Sequence, residues 1–472
     1  MIFSRDFFTR VILIDYFYKK NTMLLKFYCS NFKSIREEIE FNMFVGSYKR
    51  HESHYVRFRD KNVLRSAAIY GTNGSGKTNI LLALEYLRKI IVKGTRDLNE
   101  KLNVPIFKLS DCINTPTRFE IDFIASGKRY NYKLEITSGI ITNEELKEIN
   151  SKYIEILIFS RKYKNNKTSL TIAPNKDKNE KDILREEIYS EELRENQTFF
   201  KESINKKFAE TQIPFNWFQN QLKFISLDEM GPNSNSNYVT AGLASTFLLD
   251  KNFLDASKEI ISKANVGILD FKLSEFSVQD LKSKGVEIPD YLINELNSKD
   301  DIGMDAVYDG ELYSSFKKNG ELKFVKISTI HQNTNGENIE FKFSEESRGV
   351  QRLFELLPAI YRSIHKGEIF IIDEIETSFH PVLIKEILHL YLETKPEKSG
   401  QIIFTTHESH LLDLDLLRQD EIWFCEKDKS GASRLYSLSE FKPRFDKDIR
   451  KGYFEGQFGY IPFLGDSKKL GL

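Results

Sequence analysis

The sequence has few cysteines, no excess charge of either sign and no long uncharged apolar run. Its 472 residues include three cysteines, Cys29, Cys112 and Cys425, which lie far apart. Three isolated cysteines exclude a disulfide framework and a cysteine-based zinc cluster, and they favour a reducing cytoplasm. Lys plus Arg and Asp plus Glu each number 69, so no global positive field indicates binding to nucleic acid. A local basic face is still compatible with this balance.

The first 22 residues, MIFSRDFFTRVILIDYFYKKNT, are apolar enough to suggest an export signal. Four charged residues interrupt the run, and no small-residue cleavage site follows: Arg5, Asp6, Arg10 and Asp15. Met23 opens MLLKFYCSNFKSI, which fits a true start. We therefore predict that residues 1–22 are a dispensable extension or a misassigned start. Elsewhere nothing approaches the roughly 18 uncharged apolar residues of a membrane span, so we expect a cytoplasmic protein without a membrane partner.

A glycine-rich stretch, YGTNGSGKTN at residues 70–79, follows a strand-like apolar run and precedes a helical pattern. Its glycines let the backbone turn and direct amides inward, and the helix adds the positive end of its dipole, which together form a phosphate cradle. Lys77 is expected to reach the β- and γ-phosphates, and Thr78 to place its hydroxyl on Mg²⁺. A chance glycine turn is the alternative, but the full GxxxxGK[ST] pattern is far more specific than a lone GxGxxG. The predicted nucleotide-binding residues are Gly71, Asn73, Gly74, Ser75, Gly76, Lys77 and Thr78.

A second motif, late in the chain, supplies the carboxylates that hydrolysis needs. In EIFIIDEIE, residues 368–376, four apolar residues are followed by Asp373 and Glu374. A buried strand that ends in adjacent carboxylates is the Walker B arrangement, in which Asp373 holds Mg²⁺ and Glu374 polarises the attacking water as general base. Alone, the run could also be a core strand with a solvated acidic end. The presence of a P-loop in the same chain favours the Walker B interpretation of residues 368–376.

Two further stretches narrow the class of nucleotide-binding protein. QIIFTTHESHLLD, residues 401–413, is an apolar strand that ends near His407, which we predict to contact the γ-phosphate and report its presence. A purely structural histidine is the alternative. SEESRGVQRLFELLPAIYRSI, residues 344–364, places Ser347 and Gly349 at the start of an amphipathic helix. Such a helix start is a second anion site.

The order of these motifs resembles that of an ABC-type ATPase head, as in SMC, RecF and double-strand-break-repair proteins. The sequence is most similar to the AAA-family ATP-binding proteins associated with restriction and abortive-infection loci. The resemblance implies an α/β fold: a P-loop NTPase sheet with flanking helices and an antiparallel N-terminal β lobe, carrying a short helical insertion. It covers nearly the whole chain from Met23 and rests on these stretches: LKFYCSNFKSI (25–35), GTNGSGKTN (71–79), TRFEIDF with GKRYNYKLEI (117–136), NVGILDF (265–271), ESRGVQRLFELLPAI (346–360), IIDEIETSFHP (371–381), TTHESHLLD (405–413) and DEIWFCEKDKSGASRLYSL (420–438).

The resemblance implies that Ser347 and Gly349 act in trans, on the nucleotide of a second subunit. Two heads then sandwich two ATP molecules with Mg²⁺, so we expect at least a homodimer whose assembly depends on ATP. The same resemblance places residues 376–380 at the seam between heads. It also places residues 31–34 beside the base and the α-phosphate, for which a simple strand and turn is the alternative.

The sequence departs from the ABC pattern in two places. These heads carry a Q-loop glutamine between Walker A and the signature that helps to ligate Mg²⁺, whereas no glutamine occurs here before Gln197. Arg348 also stands where glycine is common in the signature. Either another residue or a water takes the coordination position, or turnover is slow. We predict weak basal hydrolysis, below roughly ten per second.

We expect four segments. Residues 1–22 are the extension, and 23–142 are the N-terminal half of the head with Walker A. Residues 143–225 form a helical, charged insertion arm, too short for an SMC-type coiled coil, which serves either as a protein-docking arm or as a packed helical lid. Residues 226–472 are the C-terminal half, with the signature, Walker B and the switch histidine.

Two classes of function fit these motifs. In the first, the ATPase senses phage infection and controls a separate effector that is encoded nearby, such as a Toprim-type nuclease. A phage-encoded trigger is compatible with this function. In the second, a DNA-maintenance or repair ATPase of SMC or RecF type clamps DNA directly, which requires salt-dependent binding that the neutral charge does not favour. An intrinsic Toprim nuclease is disfavoured, because a domain of that kind needs about a hundred residues and only 65 follow His407.

Overall fold

The computed structural model describes residues 21–95, 101–110, 112, 114–173, 180–225, 244–248, 250–264, 266–286, 288–298, 305–395, 399–444 and 447–458. The predicted extension therefore lies outside the described residues except for Asn21 and Thr22. Both of these are buried, and the Asn21 side chain accepts a hydrogen bond from Ser399 at 2.6 Å. No helix within these ranges is both long and apolar enough to cross a membrane.

The strands of the described ranges form three sheets and one separate hairpin. They are β1 (Met23–Ser30), β2 (Ile39–Asn42), β3 (Tyr55–Phe58), β4 (Lys61–Leu64), β5 (Ser66–Tyr70), β6 (Thr117–Ala125), β7 (Lys128–Thr137), β8 (Ile140–Ile149), β9 (Glu155–Lys164), β10 (Lys167–Ile172), β11 (Leu222–Ile225), β12 (Asp270–Ser277), β13 (Asp305–Tyr308), β14 (Glu311–Lys318), β15 (Glu321–Gln332), β16 (Asn338–Lys342), β17 (Ile369–Ile372), β18 (Gln401–Thr406), β19 (Ile422–Lys427) and β20 (Ser433–Ser437). The helices are α1 (Lys77–Lys93), α2 (Glu180–Glu192), α3 (Phe199–Asn205), α4 (Ala209–Asn216), α5 (Lys251–Lys263), α6 (Val278–Ser283), α7 (Asp290–Ser298), α8 (Arg348–Lys366), α9 (Pro381–Glu393) and α10 (Ile449–Phe454).

The central sheet has the strand order β11–β17–β18–β5–β19–β20. Its first five strands are parallel, and β20 is antiparallel to β19. β5, β17 and β18 are buried along their whole length, as expected for parallel strands that are covered on both faces. Helix α1 packs on one face, and α8 and α9 pack on the other. Since parallel strands end at one edge, the loops after β5, β17 and β18 lie together.

The second sheet has seven strands in the order β10–β9–β8–β7–β6–β1–β2, and every neighbouring pair is antiparallel. Its inner face shares one hydrophobic core with α1 and the near face of the central sheet. This arrangement confirms the predicted α/β head with an antiparallel N-terminal lobe. The lobe fixes α1, and therefore the start of α1, against the central sheet.

The segment 143–225 differs from the predicted helical arm. Its predicted start falls inside β8, and β8, β9 and β10 are the outer strands of the seven-stranded sheet. Its last four residues are β11, an edge strand of the central sheet. Helices occupy only the middle of the segment. The strands were missed because β8 carries four closely spaced charged residues, Glu144, Glu145, Lys147 and Glu148, a composition that resembles that of an exposed helix.

The middle of this segment packs into the core. Phe199 and Phe200, at the start of α3, are buried, and their amides donate to the Glu144 carboxylate of β8 at 2.7 and 2.9 Å. Burial raises the pKa of Glu144, while the nearby Arg161 opposes that shift. These contacts favour the packed-lid alternative for α3 and α4. Helix α2 differs, since none of its residues is buried.

A third, antiparallel sheet has the order β12–β15–β14–β13, with β16 also paired to β15. Its core includes apolar residues of α5 and of the first turns of α8. The chain passes from β16 through a short turn directly into α8. This sheet therefore supports the helix that begins at the Ser347–Gly349 signature.

Candidate functional site

The loop between β5 and α1 is held tightly against β19 and β20. Gly76 has a φ of 108°, in the region that favours glycine, and a Cβ there would lie 2.0 Å from Ser433 Oγ. A Cβ on Gly71 would lie 2.2 Å from the Cys425 carbonyl oxygen. Ser433 Oγ also donates to the Ser75 carbonyl at 2.6 Å. Both positions require glycine, because a side chain there would clash with Cys425 or Ser433. These contacts leave the loop little freedom to move.

Lys77 is the first residue of α1, and its side chain folds back over the loop. The residue is only 5% exposed, and Nζ donates to the carbonyls of Gly71 at 2.7 Å and Thr72 at 3.2 Å. Burial lowers the pKa of Lys77, and the neighbouring acidic groups oppose that shift. The ammonium has neutral carbonyl partners at the mouth of a glycine loop. This placement suits an anionic ligand such as a phosphate.

Asp373 lies at the carboxyl end of β17, beside the start of α1. Its Oδ1 accepts hydrogen bonds from Thr78 Oγ1 at 3.2 Å and from Thr405 Oγ1 at 2.5 Å. Neighbouring oxygens on an octahedral magnesium ion with bonds of about 2.1 Å lie about 3 Å apart. The Thr78 hydroxyl and the Asp373 carboxylate have this separation, so they fit two ligands of one Mg²⁺. Among the described contacts, no lysine or arginine side chain occupies that carboxylate oxygen.

Glu374 adopts a left-handed backbone conformation, with a φ of 46°. This conformation is uncommon for a residue other than glycine and stores strain. It is held by a hydrogen bond from the Glu374 amide to Thr405 Oγ1 at 2.7 Å. The turn leaves the carboxylate partly exposed, with Oε1 3.5 Å from His407 Nε2. Thr405 therefore holds the Asp373 carboxylate and the Glu374 backbone.

His407 follows β18 and lies between Lys77 and Glu374. Its Nε2 is 3.1 Å from Lys77 Nζ, and its backbone amide donates to Glu376 Oε1 at 2.5 Å. The side chain is one-third exposed. The structure thus brings Lys77, Thr78, Asp373, Glu374 and His407 to one point at the carboxyl edge of the central sheet.

Ser347 and Gly349 lie apart from this group. Ser347 caps α8 by accepting a hydrogen bond from the Val350 amide at 3.3 Å. A Cβ on Gly349 would lie 2.5 Å from the Ser378 carbonyl oxygen, in the turn that follows Walker B. Within the described ranges, no hydrogen bond or ion pair joins Ser347 or Gly349 to the glycine loop of the same chain. The start of α8 therefore belongs to the same face as the 376–380 turn.

Residues 31–34 form a turn that reaches the glycine loop through Ser34. Ser34 Oγ accepts a hydrogen bond from Asn79 Nδ2 at 2.7 Å and lies 2.7 Å from Ser433 Oγ. Asn31 instead binds backbone groups of residues 107–115 through its side chain. Only the Ser34 end of this turn is therefore placed beside the loop, while Asn31 has a structural role.

Sequence reasoning missed three residues that shape the site. Thr405, at the end of β18, bonds through its hydroxyl to both Asp373 and Glu374. Ser433 and Cys425 close the loop from strands far along the chain, and nothing in their local sequence marks them. A local signal does exist for Thr405. It forms a polar pair with Thr406 at the end of an apolar strand, directly before His407.

The fold and the clustered motifs define a P-loop ATPase with an ABC-type head. The family profile described as "AAA domain, putative AbiEii toxin, Type IV TA system" matches residues 66–413. That match covers most of the chain, and the chain belongs to this family of AAA ATPases. None of the curated proteins matches the chain.

Several solved structures resemble the chain at low identity. An SMC head domain from Thermotoga maritima is 13% identical, with 88% of this chain and 98% of that chain covered and a TM-score of 0.36. An SmcHead bound to the C-winged helix domain of ScpA is 13% identical, with coverage of 89% and 99% and a TM-score of 0.39. A Pyrococcus furiosus Smc head with an extended coiled coil, bound to the C-terminal domain of ScpA, is also 13% identical, with coverage of 89% and 97% and a TM-score of 0.35.

Proposed function

We propose that the protein binds and hydrolyses ATP with Mg²⁺ at the carboxyl edge of its central sheet. The observation that carries this proposal is the convergence of Lys77, Thr78, Asp373, Glu374 and His407 on one point. Lys77 and the loop amides bind the phosphates, and Thr78 and Asp373 hold Mg²⁺, which neutralises charge on the β- and γ-phosphates when bound. Glu374 orients and deprotonates the attacking water, and His407 contacts the γ-phosphate.

Each ATP site is completed by a second copy of the chain. Ser347 and Gly349 make no contact with the glycine loop of their own chain in the described ranges, although the start of α8 is a ready anion site. Gly349 packs against the 376–380 turn, so these two elements present one continuous face. ATP bound at the loop would bridge to that face on a partner. Assembly of at least a dimer is then the step that depends on ATP.

In this proposal the ATP-dependent assembly controls a separate toxic effector in defence against phage. The family description, with its reference to an abortive-infection toxin and a toxin–antitoxin system, supports a role of this kind. A neighbour-encoded nuclease is the effector class we propose, with phage infection as the trigger. Direct clamping of DNA is the alternative outcome of the experiments below.

Replacing Glu374 with glutamine should slow phosphate release by at least about 100-fold, since a general base typically contributes 10²- to 10⁴-fold. ATP binding should persist, because glutamine keeps the size of the side chain and removes only its charge. The measurement is phosphate release at saturating ATP and Mg²⁺. We expect the unmodified protein to turn over below roughly ten per second. The exposed Glu187→Gln on α2 is the matched control. Retention of more than half the activity in Glu374→Gln would contradict the assignment.

The same Glu374→Gln variant tests the role in defence, because it should hold the ATP-bound assembly. It would be tagged, expressed with its native neighbouring genes and purified with ATP, and the bound protein and nucleic acid identified. A stoichiometric neighbour protein, absent from the Lys77→Ala, Glu374→Gln double variant, supports the controller function. Recovery of DNA without any protein partner supports the DNA-maintenance function instead.

A further inference from the structure

We propose that His51, His54 and Glu393 form a Zn²⁺ site at the opposite end of the central sheet from the ATP loop. One ligand atom from each residue lies within 4.8 Å of the others. Two histidine nitrogens and one carboxylate oxygen form the ligand set of open zinc sites, in which a water takes the fourth position. The three residues come from a short turn before β3 and from the last turn of α9.

His54 is oriented as a metal ligand. Its ring is 1% exposed, and Nδ1 lies 2.9 Å from the carboxylate of Glu421, which is 0% exposed. Donation from Nδ1 leaves the lone pair on Nε2, and Nε2 lies 4.0 Å from Glu393 Oε1. A buried carboxylate that fixes the tautomer of a histidine in this way is the usual partner of a zinc-bound histidine.

His51 is oriented in the complementary way. Its Nε2 lies 2.9 Å from the Leu414 carbonyl, so Nε2 carries the proton and Nδ1 carries the lone pair. The His51 backbone has a φ of 58°, a strained conformation that brings its ring against that of His54 with 4.6 Å between centroids. Two ligands on tetrahedral zinc lie about 3.3 Å apart, so the distances between ligand atoms must shorten by up to about 1.5 Å. Glu393, whose side chain is 54% exposed, has that freedom.

The carboxylate behind His54 is buried and is held by neutral donors. The Glu421 carboxylate accepts hydrogen bonds from Ser66 Oγ and from the Arg418 amide, both at 2.7 Å. The Arg418 guanidinium pairs with Asp420 instead, at 2.8 Å. In the described part of the chain, His54 is therefore the ion-pair partner of Glu421. Zn²⁺ bound at His54 Nε2 would place a positive charge on the far side of the ring from this buried carboxylate.

The site is anchored to the strand that leads to the ATP loop. The Arg65 amide donates to the His54 carbonyl at 2.8 Å, and the Arg65 guanidinium donates to carbonyls at the end of α9, including that of Thr394 at 2.9 Å. Arg65 directly precedes β5, whose five residues span about 16 Å before the glycine loop begins. The zinc site is thus separate from the proposed Mg²⁺ site, and it would join α9 to the base of β5.

The test is titration of metal-free protein with Zn²⁺ by calorimetry in the absence of nucleotide, with Co²⁺ absorption as a reporter of geometry. We expect one equivalent of Zn²⁺ and a Co²⁺ spectrum typical of tetrahedral nitrogen and oxygen ligands. Glu393→Gln and His51→Gln should each weaken Zn²⁺ binding by at least about 10-fold. Glu386→Gln, an exposed glutamate on the same helix, should leave binding unchanged.

Two further controls keep the result interpretable. Asp373→Asn should leave Zn²⁺ binding unchanged, which separates this site from the ATP site. Circular dichroism of each metal-free variant verifies that it is folded, and Glu393 is exposed enough for its replacement to be tolerated. Absence of stoichiometric Zn²⁺ binding would overturn the proposal. Binding that survives both Glu393→Gln and His51→Gln would also overturn it.

Discussion

Replacement of Lys77 by alanine is expected to weaken ATP binding by at least about 100-fold and to abolish hydrolysis. Lys77 Nζ is buried at the mouth of the loop, where its partners are two backbone carbonyls. Charge-assisted hydrogen bonds to phosphate oxygens are worth about 1.5–3 kcal/mol each, so the loss of two corresponds to roughly 100-fold or more. Burial lowers the pKa of this lysine, and the neighbouring acidic groups oppose that shift.

Calorimetric titration with ATP and Mg²⁺ measures this loss. Lys93→Ala, at the last turn of the same helix, is the matched control, because it removes the same charge from α1 without touching the loop. Thermal unfolding of both variants verifies that α1 is still packed. Undiminished ATP binding by Lys77→Ala would contradict the assignment of the loop as the nucleotide site.

Replacement of Ser347 by arginine is expected to abolish the ATP-induced association of two chains, while a single chain still binds ATP. The start of α8 and the 376–380 turn lie on one face, and a bulky cation there would block the nucleotide of the partner. The change also removes the helix cap that Ser347 provides to the Val350 amide, which costs about 1 kcal/mol of stability. Loss of the cap alone is too small to unfold a chain of this size.

Sedimentation with and without ATP, in a Glu374→Gln background that prevents hydrolysis, measures this association. Ser277→Arg is the matched control. Ser277 ends β12 of the third sheet and caps α6, because its Oγ accepts a hydrogen bond from the Asp280 amide at 3.1 Å. That variant loses a serine cap and gains the same charge away from the proposed seam. The trans-acting role of the signature would be refuted if Ser347→Arg still associated in ATP as the parent does.

The seven-stranded sheet and the segment 143–225 show where sequence reasoning stopped. The resemblance to ABC-type heads implied the antiparallel lobe, and residues 117–136, which carry part of that resemblance, form β6 and β7 in the structure. The next strands were assigned to a helical arm, because charged residues are closely spaced in β8 and only four of its ten residues are buried. A strand on the outer part of a sheet owes its structure to its neighbours more than to its own pattern.

The sequence by itself determined the nucleotide loop, the Walker B strand end and the amphipathic α8. Each of these depends on contiguous residues, whose glycines, apolar spacing and strand-end carboxylates set the local backbone. Only the tertiary structure decided that Thr405 bonds to both Walker B residues, that Ser433 closes the loop, and that His51 and His54 meet Glu393. These contacts join residues far apart in the chain. Their meeting depends on the order and register of the strands, which no local pattern specifies.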